Sequence, residues 1–288
     1  EYNRAMSSPS SPTIALITGG SSGIGLELAR QLVQQGSHVW IIARRPDRLA
    51  EALQALHAER VSPDQRLGMV PADVADPLQA QAAVDRVIEE IGLPDLVINS
   101  AGFARPGRFL EQDLEFHHTM MDVNYWGTVY VTRAVLPGMV QRGAGHVVNI
   151  ASESGFLGLM GYVGYTATKF AVAGFSDALR AEIRNSGVRL HIVYPPDVDT
   201  PQLAYERNYR PPELQALEPL RSVSTPQAVA KAILRGVRRN QYMILPGFDS
   251  RFMYSLTRIL GRGVYPVMDL ITGALWKNWL KKNKKEQE

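Results

Sequence analysis

Tyr165 and Lys169 are the residues whose types and spacing indicate chemistry most directly. A separation of four residues puts both side chains on the same face of a helix. A tyrosine hydroxyl has a pKa of about 10 in water, so it transfers a proton poorly at neutral pH unless a nearby positive charge favours the phenolate. Lys169 would supply that charge. The pair therefore predicts a general acid or base that acts on an oxygen at the reacting carbon.

The segment TGGSSGIG is a second candidate site, because it joins the apolar run TIALIT to a helical pattern. Its glycines permit a tight turn and a close approach of the backbone to a pyrophosphate, and the first N–H groups of the helix attract the anion. A glycine-rich turn with no ligand is the alternative, which the position between a strand and a helix makes the weaker one. The candidate cofactor contacts here are Gly19, Ser21, Ser22, Gly23, Ile24 and Gly25.

The choice between NAD and NADP is made at the end of the second predicted strand, Ala43-Arg44-Arg45. An acidic residue there would bind the free ribose hydroxyl, whereas a basic one binds the 2′-phosphate. Arg44 can stack on adenine or bind phosphate, and the hydroxyls of the glycine-rich turn could add hydrogen bonds, so the sequence favours NADP(H). The alternative is that both arginines are solvated surface charges. Asp73 could accept from the adenine amino group or cap the following turn.

These sites need a scaffold that brings distant segments together. From residue 13 onward, short apolar runs alternate with helical patterns, which is typical of repeated βα units and a parallel sheet covered on both faces. We predict a single α/β domain over residues 13–245, built on a doubly wound parallel sheet of about seven strands. Helices are predicted to begin after Asp76, over residues 77–91, and at Thr225-Pro226. The predicted strands are TIALIT, HVWIIA, RLGMVP, LVIN, GHVVNIA, RLHIVY and YMIL.

Composition excludes several classes of protein. A chain of 288 residues, 45% of them hydrophobic, can bury the core of one such domain, and the lack of cysteine excludes a disulfide framework and cysteine-ligated metals. The net charge of +3 is small and dispersed, unlike the basic stripe of a nucleic-acid-binding protein. Residues 1–12 are polar, lack the apolar core of a signal peptide and are predicted to be disordered. We expect a cytoplasmic protein. We also expect no metal site, since His117 and His118 point to different faces of a predicted helix.

In this order and spacing, the motifs resemble those of the short-chain dehydrogenase/reductase family across residues 13–245. The resemblance implies a Rossmann-type fold and a nicotinamide cofactor that exchanges a hydride with a carbonyl carbon while Tyr165 transfers a proton to or from its oxygen. The matching pieces are TGGSSGIG, Asp73-Val74, NSAG at 99–102, Asn124, Ser152, YTATK at 165–169 and PPDVDT at 195–200.

The resemblance also implies roles for individual residues. Ser152 would hydrogen-bond the substrate oxygen and help to stabilise its developing charge. Lys169 would also bond the nicotinamide ribose, and Asn124 would anchor a water in a proton relay to Lys169. Further cofactor contacts implied by the family are Val74, Asn99, Ala101, Gly102, Pro195, Val198 and Thr200, the last two at the carboxamide.

Three positions depart from the common wording of the family. Ser100 replaces the second Asn of an NNAG motif, and Ala151 stands where many members have a serine. Pro196 replaces the glycine of a PG pair and stiffens the loop beside the nicotinamide. None of these changes removes a proton-transfer group.

Three neighbours compete with the assigned residues. Ser154 rivals Ser152, yet its spacing to Tyr165 is two residues short of the family pattern. Tyr162 has no lysine four residues on, so we interpret it as a pocket wall. Glu153 is predicted to be a solvated loop acid, although in a closed pocket it could face the substrate.

Within the family, YPPDVDTP and the preceding GFLGLMGYVGYTATKFA are similar to the 3-ketodihydrosphingosine reductases. This similarity implies NADPH-dependent reduction of a long-chain keto-sphingoid base. A reductase of another bulky ketone, such as a steroid or a 3-oxoacyl thioester, is an alternative, because one fold hosts many substrates. A non-catalytic NADP-sensing or scaffold protein is the alternative from another class.

Two segments bear on how such a substrate arrives. Residues 201–219, rich in Leu, Tyr and Pro, are predicted to be a mobile lid over the acyl chain, or else to pack on the core. Residues 246–288 form an amphipathic helical extension that is too interrupted to span a bilayer, with tryptophans and a lysine cluster suited to the cytoplasmic face of a membrane. A core-packing or dimer-interface helix is the alternative. By analogy with the family, helices from the Asp113 and Tyr162 regions are expected to form a dimer or tetramer interface.

Overall fold

Strands and helices alternate along the chain in this computed structural model, which describes residues 13–216 and 222–285. The segment predicted to be disordered, residues 1–12, lies outside the described residues, as do residues 217–219 of the predicted lid. The strands are β1 (Ile14–Thr18), β2 (His38–Ala43), β3 (Leu67–Pro71), β4 (Leu96–Asn99), β5 (Gly145–Ile150), β6 (Val188–Val193), β7 (Asp197–Val198), β8 (Val223–Ser224) and β9 (Met243–Ile244). The helices are α1 (Gly23–Gln34), α2 (Pro46–Ala58), α3 (Pro77–Ile91), α4 (Leu114–Met121), α5 (Gly127–Arg142), α6 (Val163–Glu182), α7 (Pro201–Arg207), α8 (Pro212–Gln215), α9 (Pro226–Arg238), α10 (Phe248–Leu260) and α11 (Val264–Lys285).

Seven parallel strands form one sheet in the order β3-β2-β1-β4-β5-β6-β9. The predicted doubly wound, Rossmann-type architecture is therefore confirmed, and all seven predicted strands lie in this sheet. The chain leaves β1 toward β2 on one side and later returns to pair β4 on the other. This reversal opens a crevice at the carboxyl ends of β1 and β4, where ligands bind in open α/β sheets. A separate pairing of β7 with β8 was not predicted.

Alternation along each strand divides the core between the two faces of the sheet. Ile17 and Ile41 face the layer of α1, α2 and α9, whereas Leu16 and Trp40 face α3 and α5. Strands buried on both faces have no polar stripe, which explains why they are continuous apolar runs in the sequence. Ile17 is fully buried, and such a side chain contributes roughly 1.5–3 kcal/mol.

Side-chain caps fix the starts of two helices as the sequence predicts. The Asp76 carboxylate accepts from the backbone N–H groups of Leu78 and Gln79, at 2.8 and 3.1 Å, where α3 begins. The Thr225 hydroxyl accepts from the N–H of Ala228 at 3.2 Å and begins α9. Each cap satisfies donors that the helix itself leaves unpaired.

The predicted lid folds into α7 and α8 as far as the described residues extend. Leu203 and Leu214 are buried, and Leu214 packs with Ala104 and Tyr162. These apolar residues therefore pack on the body of the protein, which is the alternative that the sequence left open.

The C-terminal arm consists of α10, the 3-10 turn Gly261–Gly263 and α11. Tyr254 packs edge-on against Phe156 at 5.3 Å between ring centroids, and Val264 is buried. Apolar side chains along the rest of the arm stay exposed, among them Phe248, Phe252, Ile259, Leu270 and Ile271. None of the helices within the described residues combines the length and hydropathy needed to cross a bilayer.

Candidate active site

A cleft of about 720 Å³ opens at the carboxyl ends of the strands and contains most of the residues that the sequence singles out. Its size is within the ordinary range for small-molecule sites. Of the predicted site residues, the following line it: Gly19, Ser21, Ser22, Gly23, Ile24, Gly25, Arg44, Asp73, Val74, Ala101, Gly102, Ser152, Tyr165, Lys169, Pro195, Val198 and Thr200.

The turn between β1 and α1 has a shape that only glycine allows. Gly19 and Gly23 have positive φ angles of +67° and +56°, a backbone region that residues with a side chain rarely adopt. A Cβ at Gly25 would lie 2.4 Å from the carbonyl oxygen of Gly19. Ser22 precedes the helix without capping it through its side chain. The turn can therefore present backbone N–H groups at the helix N-terminus to a diphosphate.

Arg44 and Asp73 face each other across the far end of the cleft. Arg44 Nη1 lies 3.8 Å from Asp73 Oδ2, and the Arg44 side chain is 59% exposed. The other carboxylate oxygen, Asp73 Oδ1, accepts from the N–H of Ala75 at 3.0 Å. Asp73 therefore caps the turn after β3, as one of the two sequence interpretations proposed, and still leaves Arg44 at the cleft surface to meet an anion.

Ser152, Tyr165 and Lys169 meet at the inner end of the cleft. Ser152 follows β5, its side chain hydrogen-bonds that of Tyr165, and its Oγ accepts from the N–H of Ser154 at 3.2 Å. Tyr165 and Lys169 project from the same face of α6, with the Lys169 ammonium 5.5 Å from the centre of the Tyr165 ring. The expected constellation is thus assembled from one strand end and one helix.

The protonation equilibrium of Tyr165 differs from the sequence expectation. Burial raises its pKa above the ordinary value, the negative charge of Glu206 raises it further, and the Ser152 hydrogen bond opposes the shift. The expectation that the Lys169 charge would set the balance toward the phenolate is therefore not met. Desolvation disfavours a charged phenolate, and the sequence did not reveal the carboxylate nearby.

Lys169 is buried, with its ammonium donating to the carbonyl oxygen of Ile150 at 2.9 Å. Burial lowers the pKa of Lys169 to about 8. A Cβ added at Gly102 would lie 3.6 Å from the Lys169 Nζ, so the backbone of the NSAG segment passes close to the ammonium. Its amine can therefore change protonation state near neutral pH, which suits a group that helps to move a proton.

Two predicted site residues lie behind the wall of the cleft. Asn124 stands in a π-helical turn, Asp122–Trp126, that joins α4 to α5. Its side chain accepts from the N–H of Phe103 at 2.9 Å and donates to the Thr168 hydroxyl at 3.0 Å. It thus ties the segment after NSAG to α6. Single π-helical turns occur often at functional sites.

Asn99 is the other residue behind the wall. Its side-chain amide donates to Thr132 at 3.0 Å and to Asn149 at 2.9 Å. The Asn149 amide in turn donates to Ser176 on α6 at 2.9 Å. Asn99 therefore braces β4 and β5 against the helices beneath the cleft, and a direct contact with a cofactor stays a prediction.

The competing residues also have clear places. Tyr162 is buried and lines the cleft, as a wall residue should. Glu153 lines the cleft as well, and its Oε1 accepts from the Ser250 hydroxyl of α10 at 2.7 Å, so it is not the solvated loop acid that the sequence indicated. The Thr200 hydroxyl begins α7 by accepting from the N–H of Leu203 at 3.3 Å.

Sequence reasoning missed an acidic group in the cleft. Glu206 lines it from α7, and its carboxylate accepts from the Tyr162 hydroxyl at 2.8 Å and from Gln202 Nε2 at 3.0 Å. Thr200-Pro201 repeats the cap-and-proline pattern of Thr225-Pro226. That pattern predicts a helix over the next residues, with Gln202 and Glu206 four apart on one face.

The chain is similar to known proteins both in sequence and in fold. The sequence profile described as short chain dehydrogenase matches residues 13–210. The 3-ketodihydrosphingosine reductase of Bos taurus is 33% identical over 259 residues, which cover 90% of this chain and 77% of the bovine protein. The 3-ketodihydrosphingosine reductase of Dictyostelium discoideum is 30% identical over 265 residues, which cover 87% of this chain and 78% of that protein. A solved short-chain dehydrogenase from Sphingobium yanoikuyae in complex with NADPH superposes with a TM-score of 0.74 at 27% identity, covering 88% of this chain and 95% of that one.

Proposed function

The chain belongs to the short-chain dehydrogenase family, and on that basis we propose that it reduces 3-ketodihydrosphingosine to dihydrosphingosine with NADPH. One observation carries the chemistry: Ser152, Tyr165 and Lys169 converge at the inner end of a cleft whose other end can hold a dinucleotide. The relatives named above supply the substrate class, since they are 3-ketodihydrosphingosine reductases in an animal and an amoeba.

Residues of the cleft fit a nicotinamide dinucleotide phosphate. The glycine turn before α1 can take the diphosphate, and a side chain at Gly25 would meet the Gly19 carbonyl instead. Arg44 at the cleft surface can pair with a ribose 2′-phosphate. When bound, this cofactor supplies the hydride that the reduction requires. Pro195, Val198 and Thr200 would border its nicotinamide end, as the resemblance implies.

The protein's part in the reaction is to hold and protonate the ketone oxygen. Tyr165 and Ser152, already hydrogen-bonded to each other, can both donate to that oxygen. Its negative charge grows as the carbonyl carbon is reduced, so these donors bind the transition state more strongly than the ketone. Tyr165 then transfers its proton. A raised pKa keeps Tyr165 protonated beforehand, which suits an acid, and Lys169 stabilises the phenolate left behind.

A direct test is NADPH consumption by the purified protein with three ketones: 3-ketodihydrosphingosine, a steroid ketone and a 3-oxoacyl thioester. We expect the highest kcat/KM with the sphingoid ketone. A clear preference for either of the other two would reject this substrate and leave the enzyme class in place. NADPH binding without turnover of any ketone would instead favour a non-catalytic NADP sensor.

Peripheral membrane contact through the C-terminal arm is a second part of the proposal. Phe252 is 55% exposed and Leu270 76% exposed, although water solvates such side chains poorly. Lys277 is exposed on α11, and further lysines follow in the sequence. Apolar side chains next to a cationic cluster are the combination that binds the interface of an anionic bilayer. A membrane surface is also where a long-chain ketone is concentrated.

Vesicle co-sedimentation tests this contact with the intact chain. We expect binding to vesicles that contain phosphatidylserine, and a loss of at least roughly tenfold in the double variant Phe252→Asp, Leu270→Asp. The matched control is Leu78→Asp, because Leu78 is 79% exposed but lies at the start of α3. Equal sedimentation of all three proteins would reject the arm as a membrane contact.

Assembly into a dimer or tetramer through the Asp113 and Tyr162 regions is the third part. Leu114 on α4 and Phe170 on α6 are 68% and 43% exposed, which supports a face that a second copy covers. Light scattering should give two or four times the mass of one chain. A Leu114→Asp, Phe170→Asp variant should give a lower multiple, and a monomeric wild-type protein would reject this part.

A further inference from the structure

Glu206 is the centre of a polar network where α7 lines the cleft. Its carboxylate accepts from the Tyr162 hydroxyl at 2.8 Å, and that hydroxyl accepts from Arg210 Nε at 3.1 Å. Arg210 Nη2 pairs with Asp197 Oδ2 at 3.2 Å, and the Arg210 side chain is buried. The network links α7 to the wall tyrosine and to β7.

Among the described residues, this network joins two acids to one arginine. Asp197 and Glu206 contribute two negative charges, whereas Arg210 contributes one positive charge that lies 3.2 Å from Asp197. The two groups that hydrogen-bond the Glu206 carboxylate, Tyr162 and Gln202, are both neutral. Removing a carboxylate from water is costly unless a cation compensates it. A further cation in the cleft would therefore be stabilised beside Glu206.

The carboxylate also lies close to the reacting position. The Tyr162 and Tyr165 rings are 6.0 Å apart between centroids, and the charge of Glu206 acts strongly enough on Tyr165 to raise the pKa of its hydroxyl. Glu206, Tyr162 and Tyr165 thus line the same cleft, with Tyr162 in hydrogen-bond contact with the carboxylate.

A keto-sphingoid base has the complementary cation. Its amino group is attached to the carbon next to the ketone and is protonated at neutral pH, whereas steroid ketones and 3-oxoacyl thioesters have no such group. We propose that the Glu206 carboxylate binds the ammonium group of the substrate, and thereby selects an amino ketone and orients its carbonyl toward Tyr165. This inference rests on the proposed function, and it adds the residue that recognises the polar head of the substrate.

The other acids of the cleft fit this role less well. Asp197 already pairs with the buried Arg210, which compensates its charge. Glu153 accepts from Ser250 of the arm and projects from the turn after Ser152. Glu206 is held by two neutral donors, of which Gln202 is itself fixed by donating to the carbonyl oxygen of Ala104 at 2.9 Å. Such fixed donors orient the carboxylate before the ligand arrives.

The test compares two ketones that differ only in the amino group: 3-ketodihydrosphingosine and 1-hydroxyoctadecan-3-one, in the same detergent and with saturating NADPH. The variant is Glu206→Gln, which keeps the shape and removes the charge. The matched control is Glu213→Gln, because Glu213 lies on the neighbouring α8, pairs with Arg108 at 2.7 Å and is not among the lining residues of the cleft. The readout is the ratio of the two kcat/KM values.

We expect Glu206→Gln to lower kcat/KM for the amino ketone roughly tenfold to a hundredfold, as for the loss of a hydrogen bond between charged groups. Most of this loss should fall on KM. The kcat/KM for the ketone without the amino group should change by less than about threefold, so the ratio of the two kcat/KM values should fall. Glu213→Gln should keep the wild-type ratio.

In the kinetic comparison, two outcomes would overturn the inference: an unchanged ratio, or an equal loss for both ketones, which would indicate a structural or proton-transfer role. Calorimetric titration of the NADP⁺-loaded protein with dihydrosphingosine and with octadecane-1,3-diol separates this inference from the proposed function. If the wild type reduces neither ketone, the proposed function fails. A preference for the amine that Glu206→Gln abolishes would still support the cation site, and no such preference would reject it.

Discussion

The ammonium of Lys169 donates a hydrogen bond to the carbonyl oxygen of Ile150, 2.9 Å away at the last residue of β5. Ser152 stands two residues further along the same strand end. The short segment from Ile150 to Ser152 therefore positions both the ammonium of Lys169 and the serine hydroxyl relative to Tyr165. Tyr165, the proposed proton donor, is thus held between the end of a strand and a helix.

Removal of the Tyr165 hydroxyl should abolish proton transfer while sparing the cofactor site. For Tyr165→Phe we expect kcat to fall roughly 10²–10⁴-fold, the usual contribution of a positioned general acid. NADPH affinity, measured by fluorescence titration, should stay within about threefold of the wild type. The matched control is Tyr130→Phe on α5, where Tyr130 stacks on Trp126 away from the cleft. Retention of more than a tenth of the activity by Tyr165→Phe would contradict this role.

Lys169→Met should inactivate the enzyme and stabilise the fold. Burial lowers the pKa of Lys169 from 10.5 to about 8, so holding it protonated in the folded state costs about 3 kcal/mol at pH 7. Replacement by Met removes this cost, but the loss of the hydrogen bond to Ile150 offsets about 1 kcal/mol of the resulting stabilisation. Because the unfolded state binds more protons between pH 8 and 10.5, wild-type stability rises over that range and the advantage of the variant shrinks.

Urea unfolding of Lys169→Met at several pH values measures this effect. A variant less stable than the wild type at pH 7 would show that the lysine is better compensated than its surroundings indicate. Such an outcome would also question the pKa on which the catalytic role of the amine depends. The comparison matters because active sites commonly trade stability for function.

Arg44 should determine the preference for NADPH. We expect Arg44→Ala to lower kcat/KM for NADPH roughly tenfold to a hundredfold, through the loss of a charged phosphate contact, and to change the value for NADH little. The control is Arg48→Ala, because Arg48 is an exposed arginine of α2 that pairs with Glu51 at 3.0 Å. Equal losses with both cofactors would mean that Arg44 stacks on adenine and does not bind the 2′-phosphate.

His146 should make the protein sensitive to acid. Its Nδ1 lies 2.9 Å from His191 Nε2, and His191 Nδ1 lies 2.6 Å from the carbonyl oxygen of Gln241, so two neutral rings form a hydrogen-bonded chain. Burial first, and then the charges of His191 and Arg189, lower the pKa of His146 from 6.5 to about 4. Between these values the unfolded state binds more protons, and stability falls as the pH is lowered.

Lowering the pH from 7 to 5 should reduce the free energy of unfolding by about 2 kcal/mol through His146. In His146→Gln that part of the loss should vanish, while the part from His191, whose pKa burial also lowers, remains. Chemical denaturation at both pH values is the measurement. Parallel losses in the two proteins would show that His146 titrates normally in the folded state.

Much of the fold was predictable because its signals are local. Each strand of the central sheet is an apolar run, and the starts of α3 and α9 are encoded by a cap residue followed by proline. Asn99 is different. Whether it reaches the cleft or braces the sheet depends on Thr132 and Asn149, which are 33 and 50 residues away in the chain.

The electrostatics of the site could not be predicted for the same reason. The spacing of Tyr165 and Lys169 is visible in the sequence, but the charge that acts on the tyrosine comes from Glu206, 41 residues further along the chain. Likewise, nothing near Glu153 in the sequence indicates that Ser250 lies at 2.7 Å. Contacts between distant segments exist only once the sheet has assembled.

The hydrogen bond from Ser250 to Glu153 connects the C-terminal arm to the residue beside Ser152. With the arm resting on a lipid surface as proposed, this link holds the catalytic groups at a fixed height above that surface. The enzyme then meets its ketone in two dimensions, and its rate follows the mole fraction of ketone among the lipids. Diluting a constant amount of ketone with inert phospholipid should slow turnover, although the amount of ketone per volume of solution is unchanged.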